Sequence, residues 1–184
     1  MNPVLGKIWN PAYAQIDLKN VTIRIQDGST PPKSIDVKIG EGNLTYSEKM
    51  NRDYTLDRGN LDLVRNGDQV PMDVSLDFTW EYITGSDASG ALPTVEDALK
   101  KKGNAADWVS TDDDPCAPYC VDIICENLPA CGEGGEMETL TLPDFRYEQL
   151  NHDVKAGTVA VSGKCNATEA MADRSLIASA SPSV

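Results

Sequence analysis

Four cysteines, Cys116, Cys120, Cys125 and Cys131, lie within sixteen residues in the spacing C-x3-C-x4-C-x5-C. A zinc knuckle draws on a C-x2-C or C-x4-C pair from a tight turn, followed by a second pair. Here the spacings widen steadily. Cys120 and Cys125 flank the apolar stretch Val121-Asp122-Ile123-Ile124. Free thiols, buried or exposed, are therefore expected, and a metal centre is not. A Cys116–Cys131 link would need an oxidising medium.

Three other groupings could do chemistry. Gly157 to Cys165 reads G-x5-G-K-C. A phosphate-cradling loop needs G-x4-G-K-[ST], with a hydroxyl for magnesium. The spacing is one too long, the hydroxyl is missing, and the interior Thr-Val-Ala-Val-Ser alternates like a strand. His152 is the single histidine, with Asp153 beside it. No G-x-S-x-G elbow supplies a nucleophile, so an exposed histidine in a polar loop is expected. Asp112-Asp113-Asp114 lacks the glycine of a calcium loop and reads as a solvated turn. Nothing argues for an enzyme, a catalytic residue, a cofactor or a resident metal.

The elements around these residues are mostly strands. The clearest run is 72–82. Met72, Val74, Leu76, Phe78, Trp80 and Tyr82 alternate with Asp73, Ser75, Asp77, Thr79 and Glu81. That period of two gives a long strand with one apolar and one acidic-polar face. Ile16–Ile25, Ile35–Ile39, Leu44–Tyr46, Val121–Cys125, Glu138–Leu142 and Thr158–Cys165 also read as strands. Asn66-Gly67 is a hairpin-turn signal. One helix is signalled at about 95–102, with Thr94 as N-cap, Asp97 three residues on, Lys100 to Lys102 in the last turn and Gly103 beyond. A second helical stretch is expected at 168–174. The fold class is mainly β, a β-sandwich or barrel with one flanking α-helix and a long loop insertion.

Charge divides the chain unevenly. Its 184 residues carry 29 acids against 16 Lys and Arg, a net charge of −13. Residues 84–135 hold 10 acids and 3 bases, more than half of that excess, together with four of the five cysteines. They read as an insertion between better-patterned flanks. A pI near 4.4 argues against a nucleic-acid binder that grips phosphates and against docking on an anionic membrane. The N-terminal residues show no apolar targeting segment, so synthesis in a cytoplasm is expected.

Two stretches are familiar in kind. One is Gly40-Glu41-Gly42-Asn43-Leu44-Thr45-Tyr46-Ser47-Glu48, continuing through Tyr54-Thr55-Leu56-Asp57-Arg58-Gly59 to the 71–82 strand. The other is Leu142-Pro143-Asp144-Phe145-Arg146-Tyr147-Glu148 with Gly157 to Asn166. Together they resemble the tail tube (major tail) proteins of long-tailed bacteriophages. The resemblance covers about 1–83 and 136–171. Residues 84–135 resemble that family less, apart from Asp114 to Tyr119.

The resemblance implies a virion protein, assembled in the host cytoplasm and located in the tail. It implies homo-hexameric rings stacked into a hollow tube, with a β-sandwich in each subunit. Its expected partners are other copies of itself, the tape measure protein, tail-end proteins and genomic DNA as a non-specific passenger, with no membrane. On this reading 1–184 is a single tail tube domain with an N-terminal arm 1–14, an insertion at about 84–135 and a C-terminal tail 172–184. Trp9 and Tyr13 in the arm are expected to contact neighbouring subunits or rings. For Asp73, Ser75, Asp77, Thr79 and Glu81 two readings stand. They face the lumen, where negative walls let DNA slide, or they are simply solvated outside. The other functional classes are an accessory β-sandwich binding or decoration module and the inner tube of a contractile or secretion system.

Overall fold

Period-two alternation becomes burial most cleanly in Met72–Thr79. Met72, Val74, Leu76 and Phe78 are at most 3% exposed, while Asp73, Ser75, Asp77 and Thr79 face the other way. The structure is a computed structural model, and it describes residues 21–81, 92–127 and 136–176. Its strands are β1 (Val21–Gln26), β2 (Ser34–Asp36), β3 (Leu44–Ser47), β4 (Met50–Asp57), β5 (Asn60–Gln69), β6 (Met72–Thr79), β7 (Val121–Asn127), β8 (Glu136–Asp153), β9 (Thr158–Cys165) and β10 (Met171–Leu176). A helix, α1 (Val95–Lys100), and a 3-10 turn (Gly103–Ala105) lie between β6 and β7. The fold is mainly β.

Eight strands form one antiparallel sheet in the order β2-β1-β7-β8-β9-β6-β3, with β10 added to β8. The two ends of this order meet. Past β2, the Lys38 carbonyl accepts from Thr79 N–H, and the Asn43 carbonyl accepts from Asp77 N–H, both at 2.8 Å. The sheet therefore curls around one core. Ile23, Ile25, Ile123 and Leu142 from one half belong to the same cluster as Leu76, Phe78, Val159 and Val161 from the other. β8 serves both halves. Its first part lies between β7 and β10, and its second part pairs with β9.

The course of β8 needs two irregularities. Pro143 and Asp144 stand opposite Asp122, because Val121 pairs with Phe145 and Ile123 with Leu142. Asp144 takes a left-handed φ of 52° there. A second slip falls between Tyr147 and Gln149. Gly163 faces it, and a Cβ at that position would lie 2.1 Å from the Arg146 carbonyl oxygen. Only glycine fits so close an approach.

α1 forms as its caps predict. Asp97 N–H donates to the Thr94 hydroxyl at 3.1 Å, and Lys102 N–H returns to the Asp97 carbonyl at 3.0 Å past a left-handed Lys101. Val95, Ala98 and Leu99 are buried, and the Tyr119 hydroxyl donates to the Ala98 carbonyl at 3.0 Å.

Several sequence expectations are corrected. The 84–135 boundary drawn from composition is not a structural one, since 92–127 supplies α1, buried Trp108 and β7, a central strand paired with both β1 and β8. The helix expected at 168–174 is strand β10, so the tail drawn from 172 begins inside a strand. Asn66-Gly67 lies within β5, and the hairpin turns instead at Arg58-Gly59, with φ of 51° and 86°. The long strand read over 72–82 ends at Thr79.

Candidate functional site

β4 and β5 form a two-stranded sheet of their own. Tyr54 pairs with Val64, and Leu56 pairs with Leu61 across a bulge. Partners in an antiparallel pair share a face, so these four side chains make one apolar surface. It is uncovered. Tyr54 and Leu56 are 60% exposed, Leu61 71% and Val64 51%. A lone two-stranded ribbon is marginal in water, and a contiguous exposed apolar face marks a surface built to be covered. The ribbon leaves the sheet between edge strand β3 and the start of β6.

The opposite end of β6, roughly 26 Å away at 3.3 Å per residue, carries a second exposed aromatic. The Trp80 ring tilts against His152 with centroids 5.0 Å apart. His152 Nε2 lies 3.2 Å from Glu96 Oε2, which ties α1 to the end of β8. The neighbouring Lys100 holds the Glu96 carboxyl below its ordinary value, and His152 adds to this against burial. Glu81 pairs with Lys38 at 2.8 Å, and Val154 stands exposed in the adjoining turn. His152 thus sits in a strand and has partners, not in the bare polar loop the sequence suggested.

The polar face of β6 is shared with its neighbours. Ser75 lies between Thr45 and Ser162, Asp73 between Ser47 and Lys164, and Thr79 beside Thr158. Much of its charge is neutralised locally. Asp73 bonds to Lys49, which with Lys164 pulls its carboxyl down, and Glu81 is held by Lys38. Among Asp73, Asp77 and Glu81, only Asp77 lacks an ion pair among the described residues. The structure thus gathers Asp73, Ser75, Asp77 and Thr79 on one non-core face, with Glu81 just past its end. Trp9 and Tyr13 lie outside the described residues.

The cysteines do not converge. Cys116 is exposed, whereas Cys120, Cys125 and Cys165 are buried. Burial pushes the Cys125 thiol up to about 11, and burial with nearby carboxylates pushes Cys165 up to about 12. Cys131 lies outside the described residues. No group of three or more metal-ligating side chains occurs among the described residues. The Gly157–Cys165 stretch is strand β9 apart from its turn glycine. Asp112 bonds to Arg146, and Asp114 caps the Cys116 N–H at 2.9 Å. No helix among the described residues is long and apolar enough to cross a membrane.

The apolar ribbon was missed in the sequence because its aliphatics follow the same alternation as core strands. The signal available was the pair Arg58-Gly59 between two strand-like runs.

Comparison with known proteins bears on the fold. No family model and no curated protein matches the chain. Among solved structures it is similar to the sheath/tube terminator of PVC, an extracellular contractile injection system, in its extended state. The TM-score is 0.50 at 10% identity, over 88% of this chain and 98% of that one. A chain of the anti-feeding prophage baseplate matches at a TM-score of 0.43 and 8% identity, over 87% of this chain and 96% of that one. The first likeness shows a shared fold.

Proposed function

We infer that this chain is a non-catalytic structural subunit of a phage-like tail, forming hexameric rings that stack into a hollow tube. The observation that carries this reading is the uncovered apolar face of the β4–β5 ribbon at one end of β6, with exposed Trp80 at the other. Two different apolar surfaces at opposite ends of one strand suit head-to-tail contacts, which propagate rather than close on a dimer. The ribbon of one copy then covers itself on the Trp80 end of the next. The fold shared with a component of a contractile injection system supports the same reading.

In the tube, Asp73, Ser75, Asp77, Thr79 and Glu81 line the lumen. DNA passes a wall of hydroxyls and paired charges, with Asp77 as its main bare acid. The arm with Trp9 and Tyr13, the tape measure protein and the tail-end partners follow from the sequence resemblance alone. Electron microscopy of the purified protein in negative stain tests the reading. Rings and tubes are expected, and Leu56→Glu with Leu61→Glu should leave unstacked rings. Small dispersed particles at every concentration would overturn it. A second reading, a single ring that ends a tube, is favoured by the terminator likeness, and wild-type rings that never stack would select it.

A further inference from the structure

Residues 110–120 cross the outer face of β7 and β8, away from the core. Their ends are fixed by contacts that carry no exchangeable charge. Val109 N–H donates to buried Asp27 at 3.1 Å, and Gly28 N–H donates to the Val109 carbonyl at 3.0 Å. At the far end the Tyr119 hydroxyl holds α1. The middle is held differently. The Thr111 hydroxyl donates to Asp144 Oδ1 at 2.8 Å and also meets the Asp122 carboxyl. Asp122 Oδ1 in turn accepts the Asp144 N–H at 2.9 Å, across the bulge that brings the two aspartates together.

A hydroxyl has one proton to give. Once Thr111 gives it to Asp144, it can only accept from Asp122, and a carboxyl donates only when protonated. The surroundings do not supply a free cation. Arg146 bonds to Asp112, to the Pro118 carbonyl at 3.0 Å and to the Asp144 carbonyl at 3.4 Å. Cys120 Sγ lies 3.5 Å from Asp144 Oδ1, 3.2 Å from the Ser110 hydroxyl and 3.3 Å from that of Thr111. The Cys165 thiol stays neutral on β9.

We propose that residues 110–120 form a proton-operated strap, closed while Asp122 carries the proton that Thr111 accepts and released when that proton leaves. Burial, with the Asp144 charge, raises the Asp122 carboxyl above its ordinary range against its hydrogen bonds, which is the direction the strap needs. For an acid with a raised folded value, the folded arrangement holds its proton more tightly. The strap is therefore strongest in acid and weakens as pH rises towards that value. It stands independently of the assembly reading.

The test is amide hydrogen exchange in the full chain at Thr111 and Cys120, from about pH 4 to about pH 8, corrected for intrinsic rate. Thr111 N–H bonds to the Cys120 carbonyl and Cys120 N–H to the Ser110 hydroxyl, so both report closure. Protection should fall by up to about tenfold per pH unit, the slope of one coupled proton, while amides of β9 stay flat. Asp122→Asn keeps the acceptor and adds a permanent donor, so its protection should be high and independent of pH. Thr111→Val removes the relay and should abolish the slope without relying on the aspartate variant. A flat wild-type profile, or a wild-type slope kept in either variant, would overturn the strap.

Discussion

Two ribbons of this molecule share one sequence pattern and meet opposite fates. In β6 and β9, alternate residues such as Leu76, Phe78, Val159 and Val161 are almost wholly buried. In β4 and β5, Tyr54, Leu56, Leu61 and Val64 form as apolar a face and remain mostly exposed. The period of two sets which residues share a face. Whether that face is covered depends on what lies across from it, and for β4–β5 the described residues put nothing there. A strand pattern therefore reports a need for burial, which the same chain or another copy can satisfy.

The comparison can be broken most directly in the core. Leu76→Ala should lower unfolding free energy by about 3 kcal/mol through lost contacts and a residual cavity, whereas Leu56→Ala should stay within about 0.5 kcal/mol. Urea denaturation of both variants in dilute, unassembled protein measures the difference. Equal losses would mean that the ribbon face is packed after all.

The next effect tests the turn beside β1. Burial acts to raise the Asp27 carboxyl, but bonds from the Ser29 hydroxyl and from the Lys33, Val109 and Ser29 N–H groups overcome it and leave it below 3.8. Asp27→Ala should cost about 2 kcal/mol by stranding buried donors. Because the folded value is depressed, the wild type holds this stability above pH 3.8 and loses it as pH falls through the folded value. Denaturation midpoints of wild type and Asp27→Ala should therefore converge in acid.

Gly59→Ala should cost about 1 kcal/mol, because its φ of 86° disfavours a side chain. The loss should appear as faster amide exchange confined to β4 and β5, with core amides unchanged. A smaller effect is expected for lumen charge. Asp77→Lys with Glu81→Lys should slow genome release in reconstituted particles, and most of the slowing should come from Asp77, because Glu81 is already paired. Unchanged release would remove that face from the channel wall.

Much of the fold was legible where the deciding interactions are local. Thr94 and Asp97 announce α1, and the alternation through Thr158–Cys165 gives β9. Longer-range packing decides the rest. Pro143 reads as a stop, yet a bulge carries β8 past it. Asn66-Gly67 has the chemistry of a turn, but the two positive φ angles of Arg58-Gly59 take that role. The acidity of 84–135 hid a central strand, because Asp122 and Glu126 lie on the face of β7 that the core does not use. The strap could not be read at all. Thr111, Asp122 and Asp144 come from three segments, and no spacing links them.

The length of β8 has a mechanical consequence. Eighteen continuous residues bonded to β7, β9 and β10 act as a beam through both halves of the sheet. A pull along it loads those bonds in shear, together rather than one after another. Neither half can tear away alone, so the subunit should stay stiff under axial force and yield in a single step.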